Sequence, residues 1–299
     1  MSTTTVEAAA VPLADVLPPV VRRGRVRTFL RRHPTAALGG VLVALMILIA
    51  IFAPWLGTVN PIAIDPIHRL ADPSGLHWFG TDMLGRDVYS RTIYGARISL
   101  LVGFSVAICA SAAGTVIGVA SGFSRLLDAV LMRIMDGLMS IPPILLAIAL
   151  MALTQASVKN VIFAISVSEF PRISRLVRGI VLSLREQPFV EAAIASGTRM
   201  PRIVWRHILP NTMAALLVQA TFTCASAMIV EAILSFIGAG TPPIVPSWGN
   251  IMAEGRALWE IKPYIVFFPA VFLSVTVLAV NLLGDGLRDA LDPRLAKRL

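Results

Sequence analysis

The chain has 299 residues, 56% of them hydrophobic and 14% charged, with a mean hydropathy of +0.78. That is too apolar for a soluble domain of this size and points to a chain solvated by lipid. Its formal net charge of +9 comes without the aromatic interleaving that accompanies RNA or DNA binding, so no nucleic-acid partner is expected.

The first 20 residues are polar or small, with three prolines, and six arginines precede Pro34. Residues 1–34 therefore read as a cytosolic tail. Thr35–Leu56 follows, 22 residues without Asp, Glu, Lys or Arg. At about 1.5 Å per residue such a run covers the roughly 30 Å hydrocarbon core as a helix. It is too long for a signal-peptide core and lacks a small-residue cleavage site, which makes it an uncleaved span. The outer loop 57–97 contains GTDMLGRD, in which Asp82, Arg86 and Asp87 suit the capping and salt-bridging of a helix leading into the next span. His77, Asp82 and Asp87 lack a helical metal-ligand spacing, so no metal site is expected.

Ile98–Ser124 (27 uncharged residues) is the second span. Ala110, Gly114, Gly118 and Gly122 recur at four-residue spacing and form a flat ridge for a second helix to approach. Gly137–Val158 (22 residues) is the third. Pro142 and Pro143 remove two backbone donors there and predict a kink, serving either a pathway or the packing of neighbours. The fourth begins near Asn160, where Glu169, Arg172, Arg175 and Arg178 fall at i, i+3, i+6 and i+9. That stripe drifts slowly round one helix face and is expected to face protein, with the helix end projecting into the cytosol; the alternative is a surface helix. Asn211–Val230 (20 residues) and Tyr264–Gly284 (21 residues) complete six spans, with an outer loop 238–263 between them. In that loop Trp248 is placed at the membrane interface as an aromatic anchor. Cys109 and Cys224 lie inside spans as buried packing residues, with no disulfide implied.

Charge orients the bundle. The segments assigned to the cytosol hold 19 of the 26 lysines and arginines: six in the N-terminal tail, two between the second and third spans, seven over Arg172–Arg206 and four after Tyr264–Gly284. The opposite side holds seven. The positive-inside rule then puts both termini in the cytosol, with domain limits of 1–34 for the first tail, 35–284 for the spans and 285–299 for the second tail.

A membrane protein that moves a solute needs a source of energy. The three lysines, Lys159, Lys262 and Lys297, do not follow glycine, so no phosphate-binding loop ends in Gly-Lys-Ser/Thr and nucleotide hydrolysis is not expected on this chain. Glu231, near the outer end of the fifth span, reads as a hydrogen-bonded or hydrated acid rather than a proton relay, and Asp136 and Glu169 sit near expected interfaces. An ion-coupled carrier has little to work with.

One segment breaks the apolar pattern. EAAIASGTRMPRIVWRHILPN (Glu191–Asn211) reads as two short helices: Gly197 suits the positive φ that ends the first, Pro201 the first turn of the second, and Pro210 opens the fifth span. On shape alone it is equally a docking knob on the cytosolic surface or an ordinary capped loop. It resembles the EAA loop of binding-protein-dependent ABC transporter permeases, matching at Glu191, Ala192, Ala193, Gly197, Leu209 and Pro210, with His207 where the general pattern has Ile. FGTDMLGRDVYSRTIYGARISL (79–100), LSFIGAGTPPIVPSWGNIM (234–252) and NLLGDGLRDALDPR (281–294) resemble signatures of the C-type subunit in the dipeptide/oligopeptide/nickel branch of that family. Glu169 departs from the pattern, where an aromatic or small residue is expected.

The resemblance implies an all-α integral membrane protein of the type I ABC importer permease fold, with six transmembrane helices, in a bacterial inner membrane. It implies no catalysis and no cofactor on this chain, since ATP and Mg²⁺ would act on partner subunits. Those partners are a second, B-type permease, two ATP-binding subunits (identical or different) and an extracellular or periplasmic substrate-binding protein. The coupling loop falls at about 186–210, with Glu191, Ala192, Ala193 and Gly197 in the knob and Arg199 and Arg202 as rim charges toward the ATPase. Trp248 and Gly249 are the outer-loop contacts expected for the binding protein. The implied cargo is di- or oligopeptide; a nickel chelate, glutathione or an opine in the same role, an ion-coupled carrier and a non-transporting receptor are the rivals.

Overall fold

The computed structural model describes residues 34–291; the expected N-terminal tail up to residue 33 and residues 292–299 lie outside the described residues. Every extended element described is helical, and the only β feature among these residues is an isolated bridge between Thr81 and Asp87.

α1 (Pro34–Phe52) is the first helix among the described residues. Its buried residues Ala36, Gly39, Val43, Met46 and Ala50 recur at three- and four-residue spacing, so one face packs while Leu38, Val41, Leu45 and Leu48 stay exposed on the others. The buried face lies against α10 (Tyr264–Leu291).

α2 (Val88–Phe123) has 36 residues and starts ten residues before the uncharged run. Two arginines are absorbed to allow this. Arg97 donates to the carbonyls of Ala50 and Ile51 at the end of α1, and Arg91 is buried in an ion-pair cluster described below. The small-residue ridge of α2 meets α5 (Val158–Arg185). A Cβ on Gly114 would come within 2.7 Å of the Ile173 side chain, and one on Gly118 within 2.7 Å of the Ser174 carbonyl and the Val177 side chain. Glycine at these positions is what lets the two backbones approach.

The third expected span is not one straight helix. α3 (Arg125–Met139) and α4 (Pro143–Ala152) meet at 89°, so Gly137–Met139 belong to α3, and Leu153–Ser157 lie beyond α4. The cause is local. The Ser140 N–H closes α3 on the Asp136 carbonyl at 3.0 Å, the Ile141 N–H reaches only the Leu138 carbonyl at 3.4 Å, and the two donors after it are missing because residues 142 and 143 are prolines. Pro143 then opens α4. The break falls at the expected place but is a right angle rather than a kink.

Four helical runs are long and apolar enough to cross a membrane: Pro34–Trp55, Val88–Phe123, Met200–Phe236 and Tyr264–Leu291; the α3–α4 pair makes a fifth if taken as one broken span. α5 has the length but carries too much charge for that criterion. One face of it packs into the bundle: Ile165, Ile173, Val177 and Val181 are fully buried, and its arginines meet α3, with Arg175–Asp136 at 2.6 Å and Arg178 paired to Asp128.

Candidate functional site

The segment Glu191–Asn211 is built by turn chemistry. α6 (Pro188–Ala195) starts with proline in its first turn and an extended Gln187 at the cap. At its end the Gly197 N–H bonds the Ile194 carbonyl at 2.9 Å and the Thr198 N–H bonds the Ala193 carbonyl at 3.1 Å, the crossed pair of a Schellman cap. That cap requires the left-handed region, and Gly197 has φ +75°. A Cβ added there would meet nothing within 4 Å, so backbone conformation rather than crowding selects glycine.

α7 (Met200–Ile203) follows, with Pro201 in its first turn as expected. It is not a separate second helix, however. It runs through a π turn (Val204–Ile208), where the Leu209 N–H reaches back five residues to the Val204 carbonyl, straight into α8 (Leu209–Phe236). Pro210 lacks a donor and its ring crowds the preceding turn, and a wider turn relieves that crowding. The second arm of the knob is thus the first turn of a 37-residue run ending at Phe236.

The knob is held from one side only. Val190, Ile203 and Ile208 are fully buried and form one cluster with Val177 and Val181 of α5. On the other side Glu191, Ala192, Gly197, Arg199 and Arg202 are exposed, and Ala193 is half-buried. Beside them Ile194, Met200 and Trp205 are also exposed, Trp205 by 75%. Composition offered no sign of these three apolar side chains; they add greasy contact area to a surface read only for its small residues and charges.

The opposite end, around loop 57–87, is built differently. Asp87 caps α2, accepting from the Ser90 N–H at 2.7 Å and the Ser90 hydroxyl at 2.6 Å. Asp82 accepts from Arg86 Nε at 2.7 Å and from Arg91, and both arginines reach Glu254 on α9 (Trp248–Gly255), Arg86 at 2.5 Å and Arg91 at 2.6 Å. The expected roles of Asp82, Arg86 and Asp87 are met. The closing partners Arg91 and Glu254 were missed, because a contact across 163 residues leaves no local sequence signal. His77 joins Asp87 at 3.1 Å, and no metal-binding cluster exists among the described residues.

Trp248 requires a correction. It is no interfacial anchor: its side chain is fully buried, its indole N–H donates to the Thr92 carbonyl at 3.0 Å, and its ring packs in the core beside Met228. Gly249 is buried beneath it, and a Cβ there would come within 2.7 Å of Ala232. Neither presents surface to a binding protein in this arrangement. Glu231 is a buried, hydrogen-bonded acid, accepting from the Ser235 hydroxyl at 2.8 Å. Cys224 is buried as expected, whereas Cys109 is exposed on α2.

Comparison with known proteins places this architecture. Residues 114–297 match the family of binding-protein-dependent transport system inner membrane components, and residues 24–73 match the N-terminal transmembrane domain of oligopeptide transport permease C. A probable peptide ABC transporter permease protein of Sinorhizobium fredii is 53% identical over 90% of this chain and 92% of its own length. A dipeptide transport system permease protein of Alkalihalophilus pseudofirmus is 42% identical over 89% and 88%. A glutathione transport system permease protein of Salmonella typhimurium is 42% identical over 93% and 94%. Among solved structures, an inward-facing MetNI methionine ABC transporter chain superposes with a TM-score of 0.56 at 22% identity, over 68% of this chain and 96% of that one. The exposed, turn-built knob thus sits in the fold of an ABC importer permease, and the chain belongs to the binding-protein-dependent transport system inner membrane component family.

Proposed function

We propose that this chain is one of two unlike permease subunits of an ATP-driven importer for di- and oligopeptides. It spans a bacterial inner membrane six times with both termini in the cytosol, α5 being its fourth span. The observation that carries the proposal is the knob: a one-sided projection, attached through Val190, Ile203 and Ile208, that runs into a helix long and apolar enough to cross a membrane. A push on Glu191–Gly197 is delivered directly to the 37-residue run that begins at Met200. Peptide cargo is supported by the names of the relatives at 53% and 42% identity.

The chain itself performs no chemistry. ATP and Mg²⁺ act on two separate ATP-binding subunits, which hold Glu191, Ala192, Ala193 and Gly197 in a groove with Arg199 and Arg202 at its rim. The B-type permease supplies the other wall of the path. A substrate-binding protein delivers cargo from outside, docking on exposed outer-loop surface rather than on the buried Trp248 and Gly249.

The test is uptake of a labelled dipeptide into vesicles containing this chain, the second permease and the ATP-binding subunits, with binding protein supplied outside. Uptake is expected to need ATP inside the vesicle and all subunits. Uptake by this chain alone on an ion gradient contradicts the proposal.

A further inference from the structure

Arg172 lies halfway along α5, 14 residues from Val158 and 13 from Arg185. At 1.5 Å per residue each end is about 20 Å away, which puts Arg172 inside the roughly 30 Å hydrocarbon layer if α5 crosses it. Its side chain is nevertheless 54% exposed, while that of Glu169, one turn earlier, is 3% exposed. A cation at that depth is costly against acyl chains, so the surface carrying it faces water or protein.

The surroundings of the pair are polar. Glu169 Oε1 accepts from the Ser226 hydroxyl of α8 at 3.1 Å, and Glu169 Oε2 is buried without a hydrogen-bond partner. Gln219, Thr223 and Ser226 follow at four- and three-residue spacing on one face of α8, and Gln219 contacts the Thr223 hydroxyl at 3.5 Å. Toward the cytosol the stripe continues in the pairs Arg175–Asp136 and Arg178–Asp128.

We propose that Glu169 and Arg172 form an anion-binding station in the translocation path, where Arg172 takes the free carboxylate of a passing peptide; the proposal rests on the importer function above. Three features support cargo over a fixed acid from a second subunit. Arg172 Nη1 stands 3.6 Å from Glu169 Oε2, too long for a hydrogen bond, and Arg172 makes no hydrogen bond among the described residues, so its planar fork of donors is free for a carboxylate. Glu169 already balances its charge, so no second acid is needed at rest. The same acid competes with the bound carboxylate and keeps binding weak enough for release, which a transport path needs.

The experiment compares uptake of alanyl-alanine and alanyl-alaninamide by the full reconstituted complex, taking each variant's free-acid to amide ratio relative to wild type. Losing a charge-assisted contact predicts a fall in that ratio of roughly ten-fold or more for Arg172→Gln. Arg172→Lys, which keeps the charge but not the fork, is expected to recover part of it. An equal fall for both peptides, or loss of the second permease from the purified Arg172→Gln complex, overturns the station and marks Arg172 as structural or inter-subunit. If the wild-type complex moves neither peptide, the peptide-import function itself fails and the station falls with it.

Discussion

The two ends of this molecule solve opposite problems. At one end, loop 57–87 is welded to α9 by charges that find their partners within the chain: Asp82 and Glu254 divide two buried arginines between them, and Trp248 is sunk into the core beneath. At the other end, the knob spends three fully buried side chains, Val190, Ile203 and Ile208, on attachment and presents the rest to solvent. One end pairs its buried charges within the chain, and the other presents exposed charges beside exposed apolar side chains. The difference teaches how each end can meet a partner: loop 57–87 pairs its buried charges within the chain and exposes apolar Ile67, Leu76 and Trp78, whereas the knob exposes Ile194, Met200 and Trp205 beside an open glycine turn, together with Arg199 and Arg202.

That contrast can be broken by mutation. Arg91→Leu removes a cation shared by two acids and leaves Asp82 short of a partner in a buried site. It is expected to destabilise the detergent-solubilised protein by about 3–5 kcal/mol in a thermal unfolding assay. Gly118→Ala tests the α2–α5 contact that links the two ends; forcing a methyl against Ser174 and Val177 is expected to cost about 1–3 kcal/mol in the same assay. Gly197→Ala faces no crowding, only the left-handed backbone, and a loss of about 1–2 kcal/mol confined to the knob is expected, read by hydrogen exchange over residues 188–203. Trp205→Ala removes a side chain that is three-quarters exposed on the knob. Its unfolding free energy is expected to stay within about 0.5 kcal/mol of wild type, and a larger loss would mean the knob is not one-sided.

Much of the bundle was legible because lipid imposes a simple rule on sequence. Uncharged runs of membrane-spanning length marked α1, α2, α8 and α10, and the four-residue ridge of α2 marked the face that α5 covers. The rule fails where hydropathy carries no direction. The run 137–158 is continuously uncharged although the helix turns through 89° at Pro142 and Pro143, and the proline pair gave the place but not the angle. The knob was readable because Gly197, Pro201 and Pro210 each have one backbone conformation to serve. The π turn between them, and the fusion of α7 to α8, depend on how several residues share a crowded turn. Trp248 was misread because an aromatic residue beside a span fits the membrane interface equally well in sequence, and only the approach of α2, α9 and α10 shows that it is inside.

The most direct test is co-purification of the tagged chain from mild detergent with its partners, comparing wild type with Gly197→Val and Gly197→Asn. Asparagine tolerates a positive φ, whereas a β-branched residue does so very poorly. If the knob couples this chain to ATP-binding subunits, wild type and Gly197→Asn retain them, and Gly197→Val loses them while keeping the second permease. Retention of the ATP-binding chains by Gly197→Val, or loss of both partners together, would contradict coupling through the knob.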